Sequence, residues 1–364
     1  PVAAQWPASS ADNTAATTAA ADMAWQDFVG DARLRELVTL ALDNNRDLRV
    51  ALAAIEQARA QYQIRRADQL PTINAAVAGN RQPSSDGESI SSAYTAGLAM
   101  ASWELDFFGR VASLKDAALA QFLATQEARN AVQTSLIASV VSTWLSLQTN
   151  NELLALTQRT LATRQDSLRL NRMRFEQGVT SALDLRQAES LTAAAQATLA
   201  QQRRLRALDV NALTQLVGQP LPEALLAAPA IPAAQSLHDV PVGMPSDLLE
   251  RRPDIRQAEQ QLIAANANIG AARAAFFPRI ALTASAGTAS GALSGLFQSG
   301  AWGWTLAPQA VLPIFDAGRN QAALESAQAG REMALAQYEK AIQGAFREVA
   351  DALAGQATLG EQVR

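Results

Sequence analysis

From Asp31 onward the apolar positions fall at helical spacing: Leu34, Leu37, Val38, Ala41 and Leu42 recur at i, i+3 and i+4. A second helix is predicted from about Asp47 to Ala67, with Ala51, Leu52, Ile55, Ala58 and Tyr62 on one narrow stripe. Such a stripe suits a helix that packs on one side only. At Pro71 the period changes to two. Ile73, Ala75 and Val77 alternate with Thr72, Asn74 and Ala76, which predicts a strand with two different faces. A polar loop is expected over Arg81 to Ser92. A second strand follows, with Tyr94, Ala96, Leu98 and Met100 against Thr95, Gly97 and Ala99. Parity then shifts to Trp103, Leu105 and Phe107, the sign of a bulge.

The pattern then recurs. Asp47-Leu48-Arg49 returns as Asp254-Ile255-Arg256, and Pro71 returns as Pro278 at the same offset. Ile280, Leu282, Ala284 and Ala286 alternate, a Gly/Ser loop is expected from about Gly287 to Gly300, and Trp302, Trp304 and Leu306 alternate again. Gly109-Arg110 and Gly318-Arg319 each precede a further helical stretch. This is a tandem duplication in the order helix, strand, loop, strand, helix. Each of the four strands is about 9–12 residues, the length a tilted strand needs to cross a bilayer. Trp302, Trp304, Tyr94 and Trp103 are candidates for an interfacial aromatic girdle. Periodicity alone also permits two ordinary hairpins on a soluble core.

No Pro or Gly interrupts Val111 to Phe175, which at 1.5 Å per residue makes about 100 Å of helix. The return stretch Ala182 to Val217 carries small, sparse apolar residues near heptad spacing, which fits coiled-coil contacts with other faces wet. The domain reading is therefore an extended lead over residues 1–30 and a first structural repeat over 31–217. That repeat holds a strand hairpin at about 71–107, the long helix 111–175 and the return helix 182–217. A Pro-rich crossover covers 218–245. A second repeat covers 246–364, with its hairpin at about 278–314. Copy one turns back at Gln177-Gly178-Val179. The same offset puts a second turn beyond Arg364, so a longer natural chain is expected.

Composition narrows the function classes. The 364 residues hold 30 Lys+Arg and 34 Asp+Glu, a net charge of −4, without the basic footprint of a nucleic-acid partner. No run approaches the roughly 18 apolar residues of a membrane helix, so a membrane role requires a β-barrel. There is no cysteine, hence no disulfide or thiolate metal site. The one histidine, His238, sits among prolines in the crossover and reads as a surface residue. The start at Pro1 shows no basic and apolar leader, and a signal peptide is expected to have preceded it. No phosphate loop, H-E-x-x-H or G-x-S-x-G motif is present. No catalytic residue, metal site or cofactor is assigned.

The sharpest local motif is Arg172-Met173-Arg174-Phe175-Glu176-Gln177-Gly178-Val179-Thr180-Ser181-Ala182-Leu183-Asp184-Leu185. Gly178 supplies a helix-ending position, and Thr180 or Ser181 can cap the next helix. The plain reading is a tight turn between two helices, with Asp184 a solvated carboxylate.

Four passages carry a family resemblance. They are Trp25-Gln26-Asp27-Phe28 leading to Asp43-Asn44-Asn45-Arg46-Asp47-Leu48; Ala67-Asp68-Gln69-Leu70-Pro71; Arg174-Phe175-Glu176-Gln177-Gly178-Val179; and Leu248-Leu249-Glu250-Arg251-Arg252-Pro253-Asp254-Ile255-Arg256 with Phe276-Phe277-Pro278. In these the chain resembles the TolC-like outer membrane factor family, specifically the efflux outer-membrane lipoproteins of tripartite export pumps. The resemblance implies a mainly α fold with a membrane β-barrel. Each subunit gives four strands and part of a long α-helical barrel, and trimerisation closes the barrel. It implies an exit duct in the outer membrane that extends into the periplasm and passively conducts drugs or other small molecules. The implied partners are two further copies, a periplasmic membrane-fusion adaptor, an inner-membrane pump of the RND type and outer-membrane lipid.

By motif, Gly178, Val179 and Thr180 resemble the family's adaptor-docking tip, and Leu183 and Asp184 are gate or pore-lining candidates. Ile73, Val77, Leu98, Met100, Ile280, Leu282, Trp302 and Trp304 are the implied membrane-strand residues. Lipoprotein members carry a lipidated N-terminal cysteine, which this sequence does not show. The alternative function is a soluble periplasmic coiled-coil adaptor or scaffold. That alternative accounts for the long helices but not for four membrane-length strands in two matching copies.

Overall fold

The computed structural model describes residues 24–83, 90–226, 237 and 247–363. His238 and most of the crossover lie outside them. The chain packs into two compact units. One comprises Pro1–Leu52, Arg129–Asp247 and Ala350–Arg364, the other Ala53–Ala128 and Leu248–Val349. These units cut across the two sequence repeats, because long helices belong in part to each unit.

In the first unit a buried core forms around α2 (Ala32–Asn44). Asp31 caps this helix, its Oδ1 accepting from the backbone N–H of Arg33 at 2.7 Å and Leu34 at 3.3 Å. The predicted stripe of Leu34, Leu37, Val38 and Ala41 is fully buried. It joins Val140, Trp144 and Leu147 of α4 (Arg110–Glu176) and Leu213 and Val217 of α5 (Ala182–Val217) in one cluster. Burying each such leucine contributes about 2 kcal/mol, which outweighs the marginal intrinsic stability of a 13-residue helix.

Gly218 ends α5 at φ +78°, and a Cβ there would meet the Asn44 carbonyl oxygen at 2.5 Å. Buried Asn45 completes this corner. Its Nδ2 donates to the Leu216 carbonyl at 2.8 Å, and its Oδ1 accepts from the Leu48 N–H that opens α3 (Arg46–Ala67).

The extended lead needs correction at its end. Trp25–Phe28 forms a short helix, α1, and Val29 is fully buried and bridges to Leu237. The crossover likewise is not all linker, since α6 (Glu223–Leu226) inserts Leu225 and Leu226 into the core.

The second unit repeats one corner twice. Asp106 Oδ2 accepts from the Ala112 N–H at 2.7 Å at the start of α4. Asp316 Oδ2 accepts from the Asn320 N–H at 2.9 Å at the start of α9 (Arg319–Val363). The short α7 (Asp247–Arg251) precedes α8 (Pro253–Ala274). α3 and α8 each run 22 residues and each leads into a strand. α9 is laced to α8 by Asn320 Nδ2 on the Ala275 carbonyl, Arg331 Nε on Asn266 Oδ1, and an Arg252–Glu348 pair at 2.7 Å.

The strands β1 (Ile73–Pro83), β2 (Ile90–Leu105), β3 (Arg279–Ser290) and β4 (Trp302–Val311) form one antiparallel sheet in the order β1-β2-β3-β4. The expected bulge is present, with the β2–β3 register breaking between Met100 and Trp103 and Ser102 at φ 36°. Two loop expectations are corrected. β1 and β2 run through Arg81–Pro83 and Ile90–Ser92, and β3 runs through Gly287 to Ser290.

Candidate functional site: a two-faced sheet and a helix tip

Register fixes what each face of the sheet shows, because directly paired residues share a face. One row is Ile73, Met100, Ala284 and Leu306; the next is Ala75, Leu98, Ala286 and Trp304; a third is Val77, Ala96, Thr288 and Trp302. Beyond the bulge, Trp103 pairs with Leu282 and Leu105 with Ile280. The bulge thus returns Trp103 and Leu105 to the face of Met100. All eight predicted strand residues lie on this one apolar face. Ile73, Val77, Leu98, Trp302 and Trp304 are exposed, while Met100, Ile280 and Leu282 are half-buried.

The opposite face is small and polar. Its rows are Asn74, Ala99, Ser285 and Thr305, then Ala76, Gly97, Gly287 and Gly303. At its helix end Glu104 takes a two-pronged contact from Arg110, at 2.8 and 2.6 Å, and a further one from Arg279 at 2.7 Å. The hydrogen bond to Glu104 holds the Arg110 guanidinium above its ordinary pKa. Sequence reading missed this node. Its signal was available: Glu104 is the only carboxylate within the four strands.

Both edge strands, β1 and β4, are exposed along their whole length. An apolar face is incompatible with water on both sides of a sheet, and open edges invite pairing. The predicted single aromatic girdle is corrected. Tyr94 and Trp302 lie toward the loop end, Trp304 one row further in, and Trp103 at the helix end. Sequence shows which residues alternate, but not how far along the sheet each row falls.

The tip is built in the first unit. α4 closes with paired backbone bonds: Gly178 N–H donates to the Phe175 carbonyl at 2.9 Å and Val179 N–H to the Arg174 carbonyl at 2.8 Å. This closure demands a left-handed residue, and Gly178 sits at φ +69° with open space around a would-be Cβ. Ser181 then caps α5, its Oγ accepting from the Asp184 N–H. Asp184 Oδ2 accepts in return from Ser181 Oγ at 2.7 Å, Thr180 Oγ1 at 2.9 Å and the Ser181 N–H at 3.2 Å. The Ser181 hydroxyl, then the Thr180 hydroxyl, hold this carboxyl below the usual aspartate range. Gly178, Val179, Thr180, Leu183 and Asp184 are therefore brought together in one turn. Val179 and Leu183 are strongly exposed, at 65% and 75%.

Among the described residues no helix is long and apolar enough to cross a membrane, and no group of three His, Cys, Asp or Glu side chains could hold a metal.

A family model described as outer membrane efflux protein matches residues 37–219 and 244–364. The chain belongs to this outer membrane efflux protein family. It is 46% identical over 372 residues to the probable efflux pump outer membrane protein TtgC of Pseudomonas putida, covering all of this chain and 77% of that protein. It is 47% identical over 367 residues to outer membrane protein OprJ of Pseudomonas aeruginosa, covering 99% and 76%. Among solved structures it superposes on the open state of the MtrE outer membrane channel of Neisseria gonorrhoeae with a TM-score of 0.89 at 41% identity, over 99% of this chain and 80% of that one. A membrane protein from Pseudomonas aeruginosa gives 0.89 at 47% identity, over 100% and 82%.

This efflux protein is thus an outer-membrane channel component that extends into the periplasm. Its relatives are efflux and channel proteins rather than enzymes. The soluble adaptor or scaffold is set aside by the family match and by the apolar sheet face.

Proposed function

We propose that three copies of this chain close their sheets into one water-filled barrel and form the passive exit duct of a tripartite efflux pump. The carrying observation is a sheet with one apolar face, one small polar face and two unpaired edges. Four strands fall short of the roughly eight that close the smallest membrane barrels, so a single copy cannot seal itself. Closure between copies pairs the edge N–H and C=O groups that lipid cannot satisfy. The apolar rows then meet lipid, and the rows of Asn74, Ser285 and Thr305 meet water.

Gly178, Val179 and Thr180 form the docking turn for a periplasmic adaptor. The absence of a side chain at Gly178 lets a partner approach the backbone, and exposed Val179 supplies an apolar contact. Leu183 and Asp184 are the gate candidates beside it. Energy comes from an inner-membrane pump of the RND type, since the duct itself only conducts. Gating proceeds by rearrangement of helix pairs when the adaptor binds.

Gly178→Glu tests the docking turn. Open space accepts the side chain, while the left-handed φ costs about 1 kcal/mol. The variant is expected to reach the outer membrane as a heat-modifiable oligomer yet lose drug export in a resistance assay. Wild-type resistance would overturn the docking assignment.

A further inference from the structure

All four strands meet their helices at one end of the sheet, since Ile73 pairs with Met100, Leu105 with Ile280 and Arg279 with Val311. The last apolar pair of β2 and β3 at that end is Leu105 with Ile280. Flanking these strand ends in the chain are Phe107, Phe108, Phe276 and Phe277, all exposed, Phe107 at 69% and Phe277 at 51%. Phe108 and Phe277 stack with centroids 4.9 Å apart, joining the two repeats. Phenyl rings lack the polar handle that places Trp and Tyr among head groups, so these rings suit the acyl region just beneath.

The same end carries excess positive charge. Arg65, Arg66, Arg110, Arg273, Arg279 and Arg319 outnumber Asp68, Glu104, Asp106 and Asp316 there, and Glu104 is taken by Arg110 and Arg279 and Asp68 by Arg65. Arg66, Arg273 and Arg319 are exposed and form no ion pair with a carboxylate among the described residues. They occupy the last turns of α3 and α8 and the first turn of α9, at the same end of the sheet. An exposed phenyl collar flanking the sheet's apolar face in the chain, at an end with a surplus of guanidinium groups, matches one solvent: the acyl and head-group boundary of an anionic leaflet.

We propose that this sheet–helix junction is a binding surface for anionic phospholipid. Phe107, Phe108, Phe276 and Phe277 seat in the acyl chains. Arg66, Arg273 and Arg319 hold the head-group phosphates. The inference rests on the outer-membrane channel reading, under which the helix end of the sheet faces the periplasm and the leaflet is the inner one.

The test uses the full chain reconstituted as an oligomer in bilayers. Tryptophan fluorescence, with Trp103 next to the junction, is quenched by brominated phosphatidylglycerol or brominated phosphatidylcholine. The wild type is expected to prefer phosphatidylglycerol several-fold. Each arginine near an anionic surface contributes up to about five-fold, so the Arg273→Gln/Arg319→Gln double variant is expected to lose most of that preference while conducting normally. Equal quenching by the two lipids in a conducting wild-type protein would overturn the inference and leave the channel standing. A double variant that keeps the full preference would also overturn it. Protein that neither inserts nor conducts would sink both.

Discussion

One carboxylate oxygen organises the helix tip. Asp184 Oδ2 is held by the Ser181 and Thr180 hydroxyls and by the Ser181 N–H, so it stabilises the turn before it can act on anything passing. A gate role for Asp184 must therefore compete with its own hydrogen bonds, whereas Leu183 is largely exposed. The folded pKa is depressed, chiefly by the Ser181 side chain. The stabilisation is complete above the ordinary aspartate range, about pH 4, and is lost as pH falls through the lower folded value. Protection of the tip amides against hydrogen exchange is expected to hold at neutral pH and to fall only below about pH 4. Ser181→Ala should remove the cap at every pH, worth about 1 kcal/mol or roughly five-fold faster exchange at the start of α5. Unchanged exchange in that variant would refute the capping account. The turn was legible because Gly178 follows an unbroken helical run. Which of Thr180 and Ser181 caps α5 was not, since both residue types suit the position and only φ and ψ separate them.

The elements tell a similar story at larger reach. α5 was legible to the residue, because Ala182 and Val217 are bracketed by Ser181 and Gly218. The β2 bulge was legible as a parity change. The end of β3 was not: Gly287, Thr288, Ala289 and Ser290 have loop composition yet form strand. The reason is a cross-strand approach that composition does not show. Gly287 pairs with Gly97, and a Cβ on either glycine would overlap the partner strand's backbone. These two glycines let β2 and β3, and so the two repeats, join edge to edge. Gly97→Val is expected to abolish the heat-modifiable oligomer in outer-membrane extracts, while Gly303→Ala, with open space on β4, keeps it. A normal oligomer from Gly97→Val would show that the strands can part at no cost. The Phe collar, and the partners of Glu104 though not Glu104 itself, were hidden for another reason. Each draws residues from both repeats, and single-sequence periodicity cannot bring distant passages together.

At the scale of the whole molecule, the sequence repeat and the compact units are different divisions. The repeat describes how the chain is written. The units arise because helices from both copies pack in each. Within its own unit the sheet has no dry side: β1 and β4 stay exposed throughout, as do Ile73, Val77, Trp302 and Trp304. The central claim is that lipid covers one face and a water-filled lumen the other. Because the chain has no cysteine, single substitutions report cleanly on that claim. Val77→Cys and Leu98→Cys probe the apolar face; Ser285→Cys and Thr305→Cys probe the polar one. In intact cells exposed to a water-soluble, membrane-impermeant thiol reagent, Ser285→Cys and Thr305→Cys are predicted to label and to lose conductance, and Val77→Cys and Leu98→Cys to stay unlabelled. Labelling of Val77→Cys and Leu98→Cys with Ser285→Cys and Thr305→Cys protected, or equal labelling of all four, would contradict the account.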